Sequence, residues 1–240
     1  MQHDLFLEFG PLVPAYFLAR PNRFLVHCQL EQSGELVEAH LADPGRLKEL
    51  LLPGALLYLR RSTNPKRRTK WSVMLIQAPG PVLVSLQSTL VNQLAARALA
   101  QKAIPALAPW DLVRAEYAYG GSRFDFLLEN GRGERLLLEV KSCTLVQDGT
   151  AMFPDAVTAR GAKHVLKLAE LQKEGAFRGG VLFVVQRSDA VVFRPASHID
   201  PKFAQALSAA HRAGVYVAAY NSRVEERCIT WGQELPVQLV

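Results

Sequence analysis

Cysteine is scarce in this chain, and long hydrophobic runs are missing. The three cysteines, Cys28, Cys143 and Cys228, are widely separated and form no C-x-x-C pair, which argues against a disulfide framework and against a thiolate zinc site. No run of about 18 apolar residues occurs, and the start, MQHDLFLEFG, lacks the basic and apolar segments of a signal peptide. We therefore expect a cytoplasmic protein that spans no membrane.

Two nucleotide-binding motifs are missing as well. No helix pattern is opened by G-x-G-x-x-G or by G-x-x-x-x-G-K-[ST], the glycine-rich loops that bind the phosphates of dinucleotides and nucleoside triphosphates. This disfavours a small-molecule enzyme built on a doubly wound sheet.

The composition is that of a folded protein with an excess of positive charge. The 240 residues are 49% hydrophobic and 21% charged, which excludes disordered and low-complexity classes and leaves room for one or two domains. The 28 Lys and Arg residues outnumber the 22 Asp and Glu residues, giving a net charge of +6. This charge suits a polyanionic partner such as a nucleic acid, although many basic proteins bind nothing anionic.

The first third of the chain has the pattern of a small β-barrel. Apolar segments at 23–30 and 36–41 flank the turn sequence Gln32-Ser33-Gly34, which predicts a hairpin. Leucine spacing predicts a short helix at 46–52, and strand-like segments follow at 55–61, 71–77 and 82–86. Because short strands of this kind are typical of the OB-fold, we assign residues 1–86 to an OB-like barrel that binds nucleic acid.

The remaining residues, 87–240, have the pattern of an α/β domain. The predicted helices lie at 88–102, from 158 to just before 175, and at 201–212. The predicted strands lie at 113–118, 123–128, 136–140, 181–185, 190–193 and 215–220. The apolar strand 181–185 is expected inside the sheet, with 190–193 beside it. The chain as a whole is placed in the α/β (α+β) class.

The strongest chemical signal is a pair of carboxylates on neighbouring strands. Alternation along a strand puts Asp125 on the face opposite Phe124 and Phe126, and puts Glu139 on the same face as Lys141. Two carboxylates about 4 Å apart repel by about 4 kcal/mol at an effective dielectric constant of about 20. A cation must therefore neutralise them, and Mg²⁺ (or Mn²⁺) suits two carboxylates and a phosphate. Lys141 would then orient the attacking water and stabilise developing charge.

Each part of this acidic site has a structural alternative. The carboxylates and Lys141 could instead form a half-exposed, salt-bridged hairpin. Glu116, on the preceding strand, is a candidate third carboxylate for catalysis and for a second metal ion, or else an exposed strand residue.

Two basic segments are candidates for binding a phosphate backbone. Helical spacing predicts a stripe beside the carboxylates that consists of Arg160, Lys163, His164 and Lys167. The loop 60–70 contains six cationic residues and no acid, which suits backbone contacts made from a barrel. The alternative for each segment is a solvated surface. The loop residues and one strand residue complete the candidate set: Arg60, Arg61, Lys66, Arg67, Arg68, Lys70 and Arg123.

Several of these segments resemble known families. An acidic residue on one strand and Glu-x-Lys on the next resemble the PD-(D/E)XK nuclease superfamily. Ser122-Arg123-Phe124-Asp125-Phe126, Glu139-Val140-Lys141-Ser142, the run 153–164 and Pro44-Gly45-Arg46 resemble the sugar fermentation stimulation protein (SfsA) family. The resemblance implies an OB-like N-terminal domain, a restriction-endonuclease-like C-terminal domain, DNA binding and a link to the regulation of sugar fermentation.

The resulting prediction is a DNA-binding protein with a Mg-dependent phosphodiesterase site. Asp125, Glu139 and Glu116 would hold the metal, and Lys141 would position the nucleophile. RNA and branched nucleic acids are left open as partners, as is the oligomeric state. The competing prediction is a non-enzymatic DNA-binding transcriptional regulator that retains a nuclease scaffold.

Overall fold

A computed structural model describes residues 5–239, in which a six-stranded sheet forms the barrel domain and ten strands and three helices form an α/β domain. The strands of the first domain are β2 (Val13–Asn22), β3 (Leu25–Leu30), β4 (Leu36–His40), β5 (Leu56–Arg61), β6 (Trp71–Gln77) and β7 (Leu83–Ser85). Their order is β4-β3-β2-β5-β6-β7, and an additional pairing of β4 with β6 closes the first five of them into a barrel, with β7 attached to β6. Its interior is filled by fully buried apolar side chains such as Ala15, Val26, Leu57 and Ile76. The predicted barrel is therefore confirmed.

The predicted helix at 46–52 is wrong, because this segment forms only one hydrogen-bonded turn. The N–H of Leu51 donates to the carbonyl of Leu47 at 2.8 Å, but Leu47 has a left-handed φ of 52°. So short a segment, bounded by Gly45 and Pro53, forms too few internal hydrogen bonds to offset the cost of helix nucleation.

The longest barrel strand, β2, was not predicted. Pro14 and Pro21 lie within it, and proline lowers the strand signal because it cannot donate to a ladder. The burial of Ala15 and Phe17 against the barrel core nevertheless fixes this segment as a strand.

The α/β domain is built on a seven-stranded sheet. Its strands are β1 (Phe6–Glu8), β8 (Trp110–Tyr119), β9 (Ser122–Asn130), β10 (Arg135–Cys143), β13 (Arg178–Val185), β15 (Tyr216–Val224) and β16 (Cys228–Leu235). Their order is β1-β16-β15-β13-β10-β9-β8. The central strands β10, β13 and β15 are parallel, and the flanking pairs are antiparallel.

Strand β1 pairs with β16 in this sheet. The expected division at residue 86 assigns the same segment to the barrel domain. Its hydrogen bonds instead make the N-terminal strand an edge of the second sheet, and the chain enters the barrel only with β2.

Three helices cover the two faces of the sheet. Helix α1 (Leu90–Ala100) packs on one face, and α2 (Ala159–Lys173) and α3 (Pro201–Arg212) pack on the other. As predicted, α2 begins after Thr158, whose hydroxyl accepts a 3.1 Å hydrogen bond from the N–H of Gly161. None of the described helices has the length and apolar character needed to cross a membrane.

The predicted placement of 190–193 beside 181–185 is wrong. Strand β14 (Val192–Pro195) instead belongs to a separate small sheet with β11 (Leu145–Gln147) and β12 (Thr150–Phe153). Both edges of β13 are already paired, one with β10 and the other with β15. No edge is left on β13 to accept a third strand.

Candidate active site

Asp125 lies where the ladder between β9 and β10 ends. The last paired residues are Phe126 and Leu138. Beyond them, Oδ2 of Asp125 accepts a 2.7 Å hydrogen bond from the N–H of Val140, so the carboxylate takes the place of a backbone partner. Oδ1 accepts a 2.8 Å hydrogen bond from the side-chain amide of Asn92 on α1. The carboxylate is thus fixed between a strand and a helix.

The two phenylalanines beside Asp125 do not share a face, contrary to the expectation from strand alternation. Phe124 packs in the core beneath α2 and α3, whereas Phe126 packs in the core beneath α1. Strict alternation requires regular pairing on both sides, and the backbone ladder with β10 stops at Phe126.

Glu139 is buried directly beside this carboxylate, and only 4% of its surface is exposed. One of its oxygens, Oε1, contacts the ammonium group of Lys141 and lies 2.8 Å from Nδ1 of His164 on α2. The other oxygen, Oε2, is buried without a hydrogen-bond partner among residues 5–239. Asp125, Glu139 and Lys141 therefore lie together, as the sequence predicted, but their shared surroundings include a histidine and an asparagine.

The two carboxyl groups are shifted in opposite directions. Burial raises the pKa of Asp125, and the neighbouring charge of Glu139 raises it further, despite the hydrogen bonds from Val140 and Asn92. Burial also acts to raise the pKa of Glu139, but the hydrogen bond from His164 and the charge of Lys141 outweigh it and lower this pKa. Such divergent pKa values are a feature of paired carboxyl groups at functional sites.

Glu116 does not join this pair, which corrects its prediction as a third metal ligand. Its carboxylate forms a 2.9 Å ion pair with Arg123, and both side chains are more than half exposed. The backbone at Glu116 has a φ of 56°, so β8 is locally irregular at this residue. Glu116 therefore fits the alternative of an exposed strand residue.

The predicted basic stripe on α2 divides into exposed and buried members. Arg160 and Lys163 are exposed, and together with Arg123 they line a cleft of about 480 Å³. His164 also borders this cleft but is only 6% exposed and contacts Glu139. Because Nδ1 of His164 is directed to the carboxylate, this residue fits a positioning role, and its binding of phosphate stays a prediction. Lys167 is half-buried and forms a 2.6 Å ion pair with Glu170.

The basic loop 60–70 projects from the barrel between β5 and β6. Lys66 and Arg68 are exposed, and no ion pair involves either within the described part of the chain. The other cations make local contacts: Arg60 with the carbonyl of Phe9, Arg61 with the ring of Trp71, Arg67 with Ser72 and Lys70 with the carbonyl of Pro65. Its role in nucleic-acid binding stays a prediction.

Asn92 is the site residue that sequence reasoning missed. Asn92 lies on α1 beside the buried residues Val91 and Leu94. A polar side chain at the edge of an apolar helix face is the sequence feature that could have indicated its role. Nothing local connects it with Asp125, which lies 33 residues away in the sequence.

Models of known protein families match both domains of the chain. The model described as "SfsA N-terminal OB domain" matches residues 18–86, and "Sugar fermentation stimulation protein RE domain" matches residues 89–228. The chain belongs to the sugar fermentation stimulation protein family. Its fold is thus an OB barrel followed by a restriction-endonuclease-like α/β domain, as predicted.

Similar proteins of this family match nearly the whole chain. A sugar fermentation stimulation protein homolog from Shouchella clausii is 42% identical over 231 residues, covering 96% of this chain and 99% of the relative. The homolog from Chloroflexus aurantiacus is 43% identical over 228 residues, covering 95% and 86%. The solved structure of Pyrococcus furiosus SfsA in complex with Ca²⁺ superimposes with a TM-score of 0.89 at 27% identity, covering 98% of this chain and 99% of the other.

Proposed function

We propose that this protein binds DNA and hydrolyses its phosphodiester bonds with the help of Mg²⁺ or Mn²⁺. The observation that carries the proposal is the buried, unpartnered Oε2 of Glu139 beside the carboxylate of Asp125. A buried polar atom without a partner costs about 1–3 kcal/mol or more when it is charged. A cation that reaches both carboxylates would remove this cost.

The two carboxylates fit Mg²⁺ better than they fit a metal ion that takes all of its ligands from the protein. Within residues 5–239, no cluster of three or more His, Cys, Asp or Glu side chains is arranged to hold a metal. Mg²⁺ usually keeps several waters and binds through one or two carboxylates and a substrate phosphate. Asp125 and Glu139 would supply those carboxylates. The related Pyrococcus furiosus SfsA was solved with Ca²⁺, another cation that prefers oxygen ligands.

The surrounding side chains have distinct roles in this mechanism. When bound, the metal ion would polarise the scissile phosphate and help to activate a water molecule. Asn92 and the N–H of Val140 orient Asp125, and His164 orients Glu139. The ammonium of Lys141 contacts the carboxylate of Glu139 and would stabilise negative charge that develops on the phosphate.

The basic cleft would hold the DNA backbone next to these groups. Arg123 precedes Asp125 by two residues, and Arg160 and Lys163 precede His164 on α2. Their cationic groups would bind phosphates without reading sequence. RNA and branched DNA share this chemistry and are included in the test below. We further propose a cytoplasmic location, where the three free thiols would stay reduced.

The proposal is tested with labelled single-stranded, duplex and branched DNA and with RNA, incubated with Mg²⁺ or Mn²⁺. We expect divalent-dependent cleavage by the wild type and its loss in Asp125→Asn and in Lys141→Met. The matched control is Glu134→Gln, which removes an exposed carboxylate from the hairpin between β9 and β10 and should cleave normally. Equal cleavage by the wild type and both site variants would contradict the assigned site.

A second candidate is a DNA-binding regulator without nuclease activity. It is favoured by the contacts of Lys141 and His164, which already compensate part of the charge of Glu139 without a metal ion. DNA binding by the wild type with no cleavage under any of these conditions would support the regulator and overturn the enzyme.

A further inference from the structure

A surface of the barrel outside the acidic site combines an exposed aromatic ring with two arginines. Phe24, in the turn between β2 and β3, is 51% exposed. Arg23 beside it and Arg46 on a nearby loop are also exposed, and among the described residues their side chains have no hydrogen-bond or ion-pair partner. Aromatic rings flanked by cationic groups are what proteins use to bind single-stranded nucleic acids, because every base has a face that can stack.

This surface is held in place by a third arginine. The guanidinium of Arg20 donates 2.8 Å hydrogen bonds to the carbonyls of both Arg23 and Arg46. The carbonyl of Phe24 accepts a 2.9 Å hydrogen bond from the N–H of Leu41, at the start of the loop that carries Arg46. One partly buried side chain therefore ties the turn to the loop, so that the backbones of Arg23 and Arg46 both lie within reach of one guanidinium group.

The turn is also close to the basic loop 60–70. Ser72, just after that loop, pairs with His40, and His40 pairs with Leu25, the residue after Phe24. Two neighbouring strand spacings correspond to about 10 Å. The guanidinium of Arg67 reaches back to Ser72 at 2.9 Å, so cationic groups continue from the loop towards the turn.

On its other side, the loop with Arg46 reaches the α/β domain at two points. The hydroxyl of Ser88, which lies just before α1, donates to the carbonyl of Ala42 at 2.9 Å. The N–H of Leu47 donates to the carboxylate of Asp155 at 3.4 Å, shortly before the basic end of α2. The loop that Arg20 ties to the turn therefore also contacts the α/β domain.

We infer that Phe24, Arg23 and Arg46 form a subsite for an unpaired base of a single DNA strand, with the base stacked on the phenyl ring and the adjacent phosphates bound by the two arginines. The inference rests on the proposed DNA binding and goes beyond it, because it names the form of DNA recognised at the barrel. Duplex bases are stacked on each other and cannot present a face to this ring. The subsite would thus favour strands that carry unpaired nucleotides.

The test measures binding in EDTA, where cleavage does not interfere, to three probes of equal length: an oligothymidylate, the same strand made of abasic sugar phosphates, and a duplex. We expect Phe24→Ala to weaken binding of the oligothymidylate about tenfold and to leave binding of the abasic strand and the duplex unchanged. Phe24→Trp, which keeps a stacking surface, should bind the oligothymidylate as the wild type does. The matched control is Leu52→Ala, since Leu52 is a barrel side chain of similar exposure, 46%.

The arginines provide an independent measurement. The double variant Arg23→Gln/Arg46→Gln should bind the oligothymidylate with a weaker dependence on salt. The magnitude of the slope of log affinity against log salt should fall by about 1.4, because each phosphate of a single strand that a protein neutralises contributes about 0.7 to it.

Unchanged oligothymidylate binding by Phe24→Ala, or equal losses for base-containing and abasic strands, would overturn the stacking inference while leaving DNA binding intact. Failure of the wild type to bind any of the three probes would instead overturn the proposed function.

Discussion

Two groups of buried or partly buried carboxylates distinguish the interior of this protein, and they differ in what satisfies their oxygens. One is the pair Asp125 and Glu139 in the α/β domain. The other lies where the barrel meets that domain and contains Asp43, Glu49 and Asp155, whose negative charges contribute to the raised pKa values of Asp43 and Glu49. The two groups are similar in charge but not in surroundings.

Two carboxylates of the interdomain group accept hydrogen bonds from the backbone of the loop that contains Gly45 and Leu47. Oδ1 of Asp43 accepts a 2.8 Å hydrogen bond from the N–H of Gly45, and Asp155 accepts from the N–H of Leu47. Burial raises the pKa of Asp43 to about 6, and the charge of Asp155 adds to the effect. Burial is also the main cause of the raised pKa of Glu49.

The acidic pair differs because a lysine and a histidine converge on one oxygen of Glu139. Its other oxygen, Oε2, has no partner among the described residues, but the same is true of Oε1 of Glu49 in the interdomain group. His164, which contacts Glu139, also borders a cleft lined by the exposed cationic residues Arg123, Arg160 and Lys163. Burial, perturbed pKa values and an unpartnered carboxylate oxygen are therefore common to both groups. The lysine and the histidine on Glu139, next to a basic cleft, are the feature that points to a substrate.

The largest expected effect comes from Glu139→Gln. This change removes a charge next to Asp125 and should lower divalent-dependent DNA cleavage by about 1,000-fold, because metal-ion catalysis contributes several kcal/mol. The measurement is the single-turnover cleavage rate at saturating protein. Full activity in this variant would show that the acidic pair matters no more for cleavage than the interdomain group does. It would contradict the assignment of the acidic pair as the active site.

Gly45→Ala should produce the largest loss of stability at the interdomain group. A Cβ atom at this position would lie 2.1 Å from Oδ2 of Asp155, so the loop or the carboxylate must move. We expect the free energy of unfolding to fall by about 3 kcal/mol, measured by urea denaturation. An equivalent change at the exposed Gly131, which has nothing within 4 Å of the added atom, serves as the control. Equal stability of the two variants would mean that the loop is not held by this contact.

Asp43→Asn should make stability less dependent on pH. The folded-state pKa of Asp43 is about 6, above its ordinary value of 3.8, so ionisation favours the unfolded chain as pH rises between these values. The variant should match the wild type below about pH 3 and exceed its free energy of unfolding by about 3 kcal/mol above about pH 7. Denaturation curves across this range provide the measurement. A constant difference at all pH values would show that the pKa of Asp43 is not raised by folding.

Glu116→Gln should have the smallest effect. Its ion pair with Arg123 is exposed, and such pairs contribute about 0–1 kcal/mol. We expect nearly unchanged stability by urea denaturation and retained cleavage of DNA. A large loss of cleavage would restore Glu116 as a ligand and contradict its separation from the acidic pair.

Much of the local structure could be predicted because its causes lie within a few residues. The start of α2 follows from Thr158 as a cap, and α3 begins at Pro201 after the cap Asp200. Where a strand contains prolines, as in β2, or where leucines only imitate helical spacing, as at 46–52, the same local rules were misleading.

The sequence by itself determined that an OB-like barrel precedes an α/β domain, most helices and strands, and the candidate residues Asp125, Glu139 and Lys141, but not that β1 joins the second sheet. Tertiary structure decided that Asn92 and His164 support these residues, that Glu116 lies apart from them, that β14 leaves the main sheet and that Phe24 faces solvent. Periodicity and capping act over a few residues along the chain. Contacts such as that between Asn92 and Asp125 depend instead on how distant segments pack, and on which strand edges remain free to pair.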